Sequence, residues 1–165
     1  IALQIMEHCM KYLLSPKCPM ITVFDEDSYC INQMFQKLIE KEKEVVEFSV
    51  GKEKFELLNT KIESASWGGN RLFLYANDRM VRQIELEKEI VDLDKNSFER
   101  NGFYYIGILS GKYLDQNVDI SRTSFDIPEH KAEDEISIEE IVSAAKEEIE
   151  DYLSDYLTNV RQEKT

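Results

Sequence analysis

The chain has 165 residues, 42% of them hydrophobic, and a formal net charge of −13. That size fits one domain with a real core, with room for an appended helix. The charge argues against non-specific nucleic-acid binding, which needs clustered Lys and Arg. No uncharged apolar run approaches membrane-spanning length, so no membrane partner is expected.

From the N-terminus, apolar residues at 1, 5, 6, 9, 10, 13 and 14 predict an amphipathic helix over Ile1 to Leu14. Ser15-Pro16 and Cys18-Pro19 stop it. Met20 to Phe24 is a short β-prone run, and Asp25-Glu26-Asp27-Ser28 turns the chain with oxygens suited to an N-cap. Ile31, Met34, Phe35, Leu38 and Ile39 then predict a second helix, ending in the charged run Glu40 to Glu44.

The period becomes two from Val46. Val46, Phe48 and Val50 form one strand, Gly51-Lys52 a turn, and Phe55 to Ile62 the return strand. After a loop over Ser64 to Asn70, Arg71–Ala76 and Arg79–Ile84 flank Asn77-Asp78, a tight hairpin. Glu85 to Leu93 is helix-compatible, and Asp94 to Gly102 is a polar turn region. Phe103 to Leu109 is a near-continuous apolar run containing Gly107. It reads as a strand covered on both faces or closely approached by another backbone.

Tyr113 to Ile127 reads as a polar loop leading into a short strand at Thr123, Phe125 and Ile127. The loop carries one cation, Arg122, on a short tether, which suits contact with an anion held elsewhere. A salt bridge from Arg122 to Asp119 or Asp126 is the structural alternative. Lys112 is the second-choice cation, sitting after Gly111 on a turn. Arg79 and Arg82 read as a solvated strand face.

Pro128 and an acidic linker lead to a long helix opened by the capping box Ser137-Ile138-Glu139-Glu140. Glu129 to Asp155 holds eleven acidic residues against Lys131 and Lys146. The apolar stripe Ile138, Ile141, Val142, Ala145, Ile149, Tyr152, Leu153, Tyr156 and Val160 packs either on its own domain or on a neighbour or twin chain. The whole is an α+β plan: a mixed, mostly antiparallel sheet with helices on one face, then a long C-terminal helix. The expected division is 1–127 for the α+β unit and 128–165 for the acidic linker and helix.

Complete catalytic signatures are missing. Gly107 to Tyr113 comes near a P-loop but is one residue short, with Tyr113 where Ser or Thr would meet magnesium. There is no H-x-x-x-H or C-x-x-C, and Cys9, Cys18 and Cys30 are odd in number, so neither a metal site nor a disulfide framework is expected. Cysteine usage of this kind suits a reducing, cytoplasmic setting. A small-molecule kinase would need a Gly/Ser-rich phosphate loop, and none is present.

Two stretches resemble a known family. Leu74 to Arg82 is similar to the strand–Val-Asn-Gly-Arg–strand hairpin of MutL-type mismatch-repair ATPases. About forty residues on, Leu114-Asp115-Gln116-Asn117-Val118-Asp119-Ile120-Ser121-Arg122 resembles their Val-Asp-Val-Asn-Val-His-Pro-Ala-Lys segment. The wording around Arg122 is also similar to chaperone-like ATPases of the GHKL superfamily, which includes gyrase. Ile5-Met6-Glu7-His8 and Cys18-Pro19 extend the likeness, which spans Ile1 to Ile127.

The resemblance implies a transducer domain, with a ribosomal-S5-domain-2-like fold. Its neighbour in the same chain, upstream, would bind ATP and Mg. Arg122, and secondarily Lys112, would reach the γ-phosphate. Arg122 stands where the family has lysine, and Asp78 where it has glycine. The superfamily's own ATP motifs do not occur here, so the fragment alone is expected to bind and hydrolyse no ATP. Both ends read as cut from a longer protein. The competing expectation is a non-enzymatic interaction or homodimerisation module using the acidic helix.

Overall fold

The computed structural model describes residues 22–24, 28–30, 44–63, 67–77, 79–121, 124–131 and 133–163. The predicted helix at Ile1–Leu14 lies outside them, as does the one from Ile31 except for its last residue, Glu44, which is extended because it pairs with Asn59 of the neighbouring strand. β1 (Thr22–Phe24) and β2 (Ser28–Cys30) pair antiparallel as a small separate sheet. Ser28, expected to cap a helix, instead pairs with Phe24 in the antiparallel register. The run Ser28-Tyr29-Cys30 thus takes the extended backbone that its opposite strand can hydrogen-bond.

The main sheet has five strands: β3 (Glu44–Val50), β4 (Glu53–Ile62), β5 (Arg71–Ala76), β6 (Arg79–Glu85) and β7 (Tyr104–Ser110). Their order is β3-β4-β7-β5-β6. Three pairings are antiparallel and one, β5 with β7, is parallel. The mixed, mostly antiparallel sheet is therefore as the alternation implied. The β3–β4 hairpin turns at Gly51, whose φ of +60° is the conformation that glycine takes without strain. Phe48 sits opposite Phe55 with ring centroids 5.6 Å apart, a cross-strand aromatic pair that fixes the register.

β7 lies between β4 and β5, and Tyr105 through Leu109 are all buried. An uninterrupted apolar run is what a central strand covered on both faces requires. Gly107 is needed for close approach. A Cβ there would come within 2.6 Å of the Tyr105 hydroxyl and 3.0 Å of a Leu72 methyl. That space lets the Tyr105 phenol lie along the strand and donate to Asn59 Oδ1.

The polar region after β6 is more regular than its composition implied. Leu86–Lys88 and Val91–Leu93 are 3₁₀ turns, and Ser97–Asn101 is a short helix, α1. Gly102, in the left-handed conformation, ends α1 by donating its N–H to Phe98 O at 2.7 Å. A second short helix, α2 (Lys112–Gln116), follows β7.

The strand expected at Thr123, Phe125 and Ile127 does not form among the described residues. Only the bridge Val118–Phe125 is present. The reason is local closure: Asp119 N–H bonds to Ser124 O, and Asp126 N–H to Asn117 O. The alternating apolar side chains gain burial without a ladder, since Ile127 enters the core and Phe125 packs against it.

The last helix, α3 (Ile138–Glu163), begins with the reciprocal capping box. Ser137 Oγ accepts the Glu140 N–H at 3.1 Å, and Glu140 Oε2 accepts the Ser137 N–H at 3.2 Å. Ile138, Ile141, Ala145, Ile149 and Leu153 are buried in one cluster with Phe55, Leu57, Leu72 and Leu74 of the sheet. The apolar stripe, through Leu153, therefore packs on its own sheet. No helix among the described residues is long and apolar enough to cross a membrane.

Candidate functional site

The two segments that carry the family likeness come together in space. Asn77, at the tip of the β5–β6 hairpin, has a φ of 51°. That left-handed backbone is one that asparagine tolerates better than most residues. The N–H donates to Asp115 Oδ1 at 2.8 Å, and Asn77 Nδ2 donates to Asp115 O at 3.4 Å. Asp115 belongs to α2, the foot of the Arg122 loop.

Above that foot the loop is tied to itself. Asn117 Nδ2 donates to Tyr113 O at 2.8 Å, and Ser124 Oγ donates to Asp119 Oδ2 at 3.0 Å. Val118 and Phe125 form a bridge, and Ile120, Ser121 and Ser124 are exposed. Arg122 itself, the residue on which the sequence reading turned, lies outside the described residues. So does Asp78.

Lys112 is exposed at the first position of α2. It lines an open cavity of about 350 Å³ between the β3–β4 hairpin and the start of α2. Lys54 shares this cavity, and so do three carboxylates, Glu47, Glu56 and Asp115. An excess of acid over base does not suit a polyphosphate. Among the described residues, no three His, Cys, Asp or Glu side chains gather as a metal-binding group.

Arg79 is exposed at the start of β6, and Arg82 forms an ion pair with Glu129 of the linker. The pair is partly exposed on both sides and ties the hairpin to the segment that leads into α3. Tyr113 packs edge-on against Phe55 and reaches Ile136 O at 3.5 Å. Burial, then the charges of Glu135 and Glu53, raise its phenol above the ordinary value.

Sequence reasoning passed over Asp115 as a contact to the hairpin. The signal was there in part: an Asn-Asp turn has a free N–H that needs an acceptor, but nothing local says that the acceptor lies 38 residues away. Comparison of the chain with protein-family models, with curated proteins and with solved structures finds no match to any of the three.

Proposed function

We propose that this chain is the transducer segment of a multi-domain GHKL-type ATPase. It would couple ATP binding and hydrolysis in an upstream domain to conformational change, with Arg122 sensing the γ-phosphate. The observation that carries the reading is the Asn77–Asp115 junction. Two segments resembling the family's paired motifs, distant in the chain, are hydrogen-bonded into one surface.

Chemically, a guanidinium can offset charge that develops on a transferring phosphoryl group. Its planar fork differs from the family's lysine, a point charge, in the geometry that it demands. The nucleotide and its magnesium would be held by the neighbouring domain, and no catalytic step is assigned to other residues of this chain. A cytoplasmic setting goes with this reading, from the cysteine usage.

The competing view, an interaction module built on the acidic helix, is weakened by one finding. The stripe that would bind a partner is buried in the chain's own core through Leu153.

The test is Arg122→Ala in the full-length protein. ATP binding should stay within a few-fold of wild type while turnover falls by about tenfold or more. Unchanged turnover would refute the assignment.

A further inference from the structure

A second open cavity, of about 350 Å³, lies where β5 and β7 begin and β6 ends. That volume is in the range of small-molecule sites, about 300–1,000 Å³. Arg71 is fixed in its wall by one nitrogen. Nη1 donates to Asn70 O at 3.1 Å and to Glu87 Oε1 and Oε2 at 3.2 and 3.3 Å. Glu87 Oε1 is itself held, since it accepts the Asn70 N–H at 2.7 Å. A Cβ at Gly69 would come within 2.1 Å of Nη1, so glycine leaves the room that the guanidinium takes. Among the described residues Nε and Nη2 make no hydrogen bond, and neither is buried. The anchored arginine thus keeps one edge of its fork unused. Two of the carboxylates that line the cavity already have an arginine: Glu87 has Arg71, and Asp94 has Arg100. That leaves Glu85 against Lys88 and Lys95, both exposed and without an ion pair among the described residues. The balance is positive, the opposite of the acid excess around Lys112. Tyr104 completes the lining, and Phe98 braces its ring at a centroid distance of 4.7 Å.

We propose that this cavity binds a small aromatic carboxylate, its oxygens on the unused edge of Arg71 and on Lys88 and Lys95, its ring against Tyr104. A guanidinium edge matches the two oxygens of a carboxylate, and its anchoring by Glu87 means that little ordering is lost on binding. A braced phenol ring offers a face on which a planar ligand stacks. The small positive surplus suits a monoanion better than a phosphate dianion, which Glu85 and Glu87 oppose. The inference is independent of the transducer reading, because none of these residues belongs to the Arg122 loop or to the hairpin tip.

The test is calorimetric titration of the full-length protein with four probes: benzoate, benzamide, acetate and phenyl phosphate. Benzoate should saturate the protein below about 5 mM. Benzamide lacks the charge and acetate the ring, so each should bind at least about tenfold more weakly. Lys88→Gln combined with Lys95→Gln alters only exposed side chains. It should weaken benzoate about tenfold and leave the unfolding midpoint in urea unchanged. Arg71→Lys keeps a cation for Glu87 but loses the fork, and should weaken benzoate to a similar degree. Tyr104→Leu should weaken benzoate and leave acetate as it was. Failure of benzoate to saturate overturns the proposal. So does equal binding of benzamide, or benzoate affinity unchanged in the double lysine variant. Phenyl phosphate binding at least about tenfold tighter than benzoate overturns the assignment to a carboxylate.

Discussion

The side-chain carbonyl of Asn70 accepts the backbone N–H of Tyr105 at 2.8 Å. It does so where β7 begins, just beyond the last β5–β7 backbone pair, Arg71 with Ile106. The other end of the amide, Nδ2, donates to Leu93 O at 3.1 Å and to Ser97 Oγ at 3.0 Å. One fully buried side chain thus ties the start of β7 to the 3₁₀ turn and to α1. Asn70→Ala would strand one buried donor, Tyr105 N–H, and two buried acceptors, Leu93 O and Ser97 Oγ, at about 3 kcal/mol or more in total. Asn70→Asp should cost at least as much, because it deletes both donors and buries a charge. Urea unfolding midpoints of the two variants check this.

Gly107 and Tyr105 should behave as one unit. An added methyl at Gly107 meets the Tyr105 hydroxyl at 2.6 Å and its Cε1 at 3.1 Å. Gly107→Ala should therefore destabilise by about 1–3 kcal/mol through overpacking. Tyr105→Phe forfeits the bond to Asn59, whose Nδ2 is already without an acceptor, and should cost about 1–2 kcal/mol. The double variant should cost less than the sum, since removing the hydroxyl removes the worst clash. A thermodynamic cycle by denaturant unfolding measures that shortfall, and strict additivity would disprove the coupling.

Asn70 also shows where reading the chain ran out. The β3–β4 hairpin, the β5–β6 hairpin and the capping box at Ser137 and Glu140 were legible because their signals are local: alternation, a turn pair, a fixed spacing. The central position of β7 was legible from its unbroken apolar run. Asn70 fell at the end of a loop, and its three side-chain partners lie 23 to 35 residues away, beyond any periodicity. α1 was missed for a different reason. Five residues with Phe98 as their one apolar side chain carry no apolar period, although Gly102 behind them is an ordinary stop signal. The strand expected at 123–127 shows the reverse error, in which alternation reflected alternate burial without a neighbouring strand to pair with. The functional reading came from motif likeness, and only the Asn77–Asp115 contact gives it a structural footing.

Alkaline pH should weaken the fold. Burial, with the charges of Tyr152 and Glu44 adding to it, pushes the Tyr105 phenol well above its ordinary value. Tyr113 is raised too, mainly by burial. In the unfolded chain both ionise near the usual tyrosine value, roughly 10. The unfolded state therefore sheds protons first, and proton loss favours unfolding. The contribution of these groups is complete below about pH 10 and declines as pH rises above it. Tyr105→Phe should flatten the decline. Denaturant midpoints between neutral pH and about pH 11 test the sign, and a rise in stability over the alkaline range would contradict it.

The Asn77–Asp115 junction separates a hydrogen-bonding role from a charge role. Both residues border solvent, so a lost partner is replaced by water and the stability cost is small. Asp115→Ala should cost about 0.5–1.5 kcal/mol. Asp115→Asn keeps an oxygen at the same place and should cost less. The sharper readout is local. In Asp115→Ala the Asn77 amide should exchange faster with solvent, while in Asp115→Asn it should stay protected. Asn77→Gly accepts the 51° φ without strain and keeps the N–H, losing only the 3.4 Å side-chain bond, so its amide should remain protected too. If the hairpin and the loop move as one body during ATP turnover, Asp115→Ala should also slow the full-length protein, and Asn77→Gly should not. Equal amide exchange in all three variants would mean that the two segments merely lie side by side, and the structural support for the transducer reading would be gone.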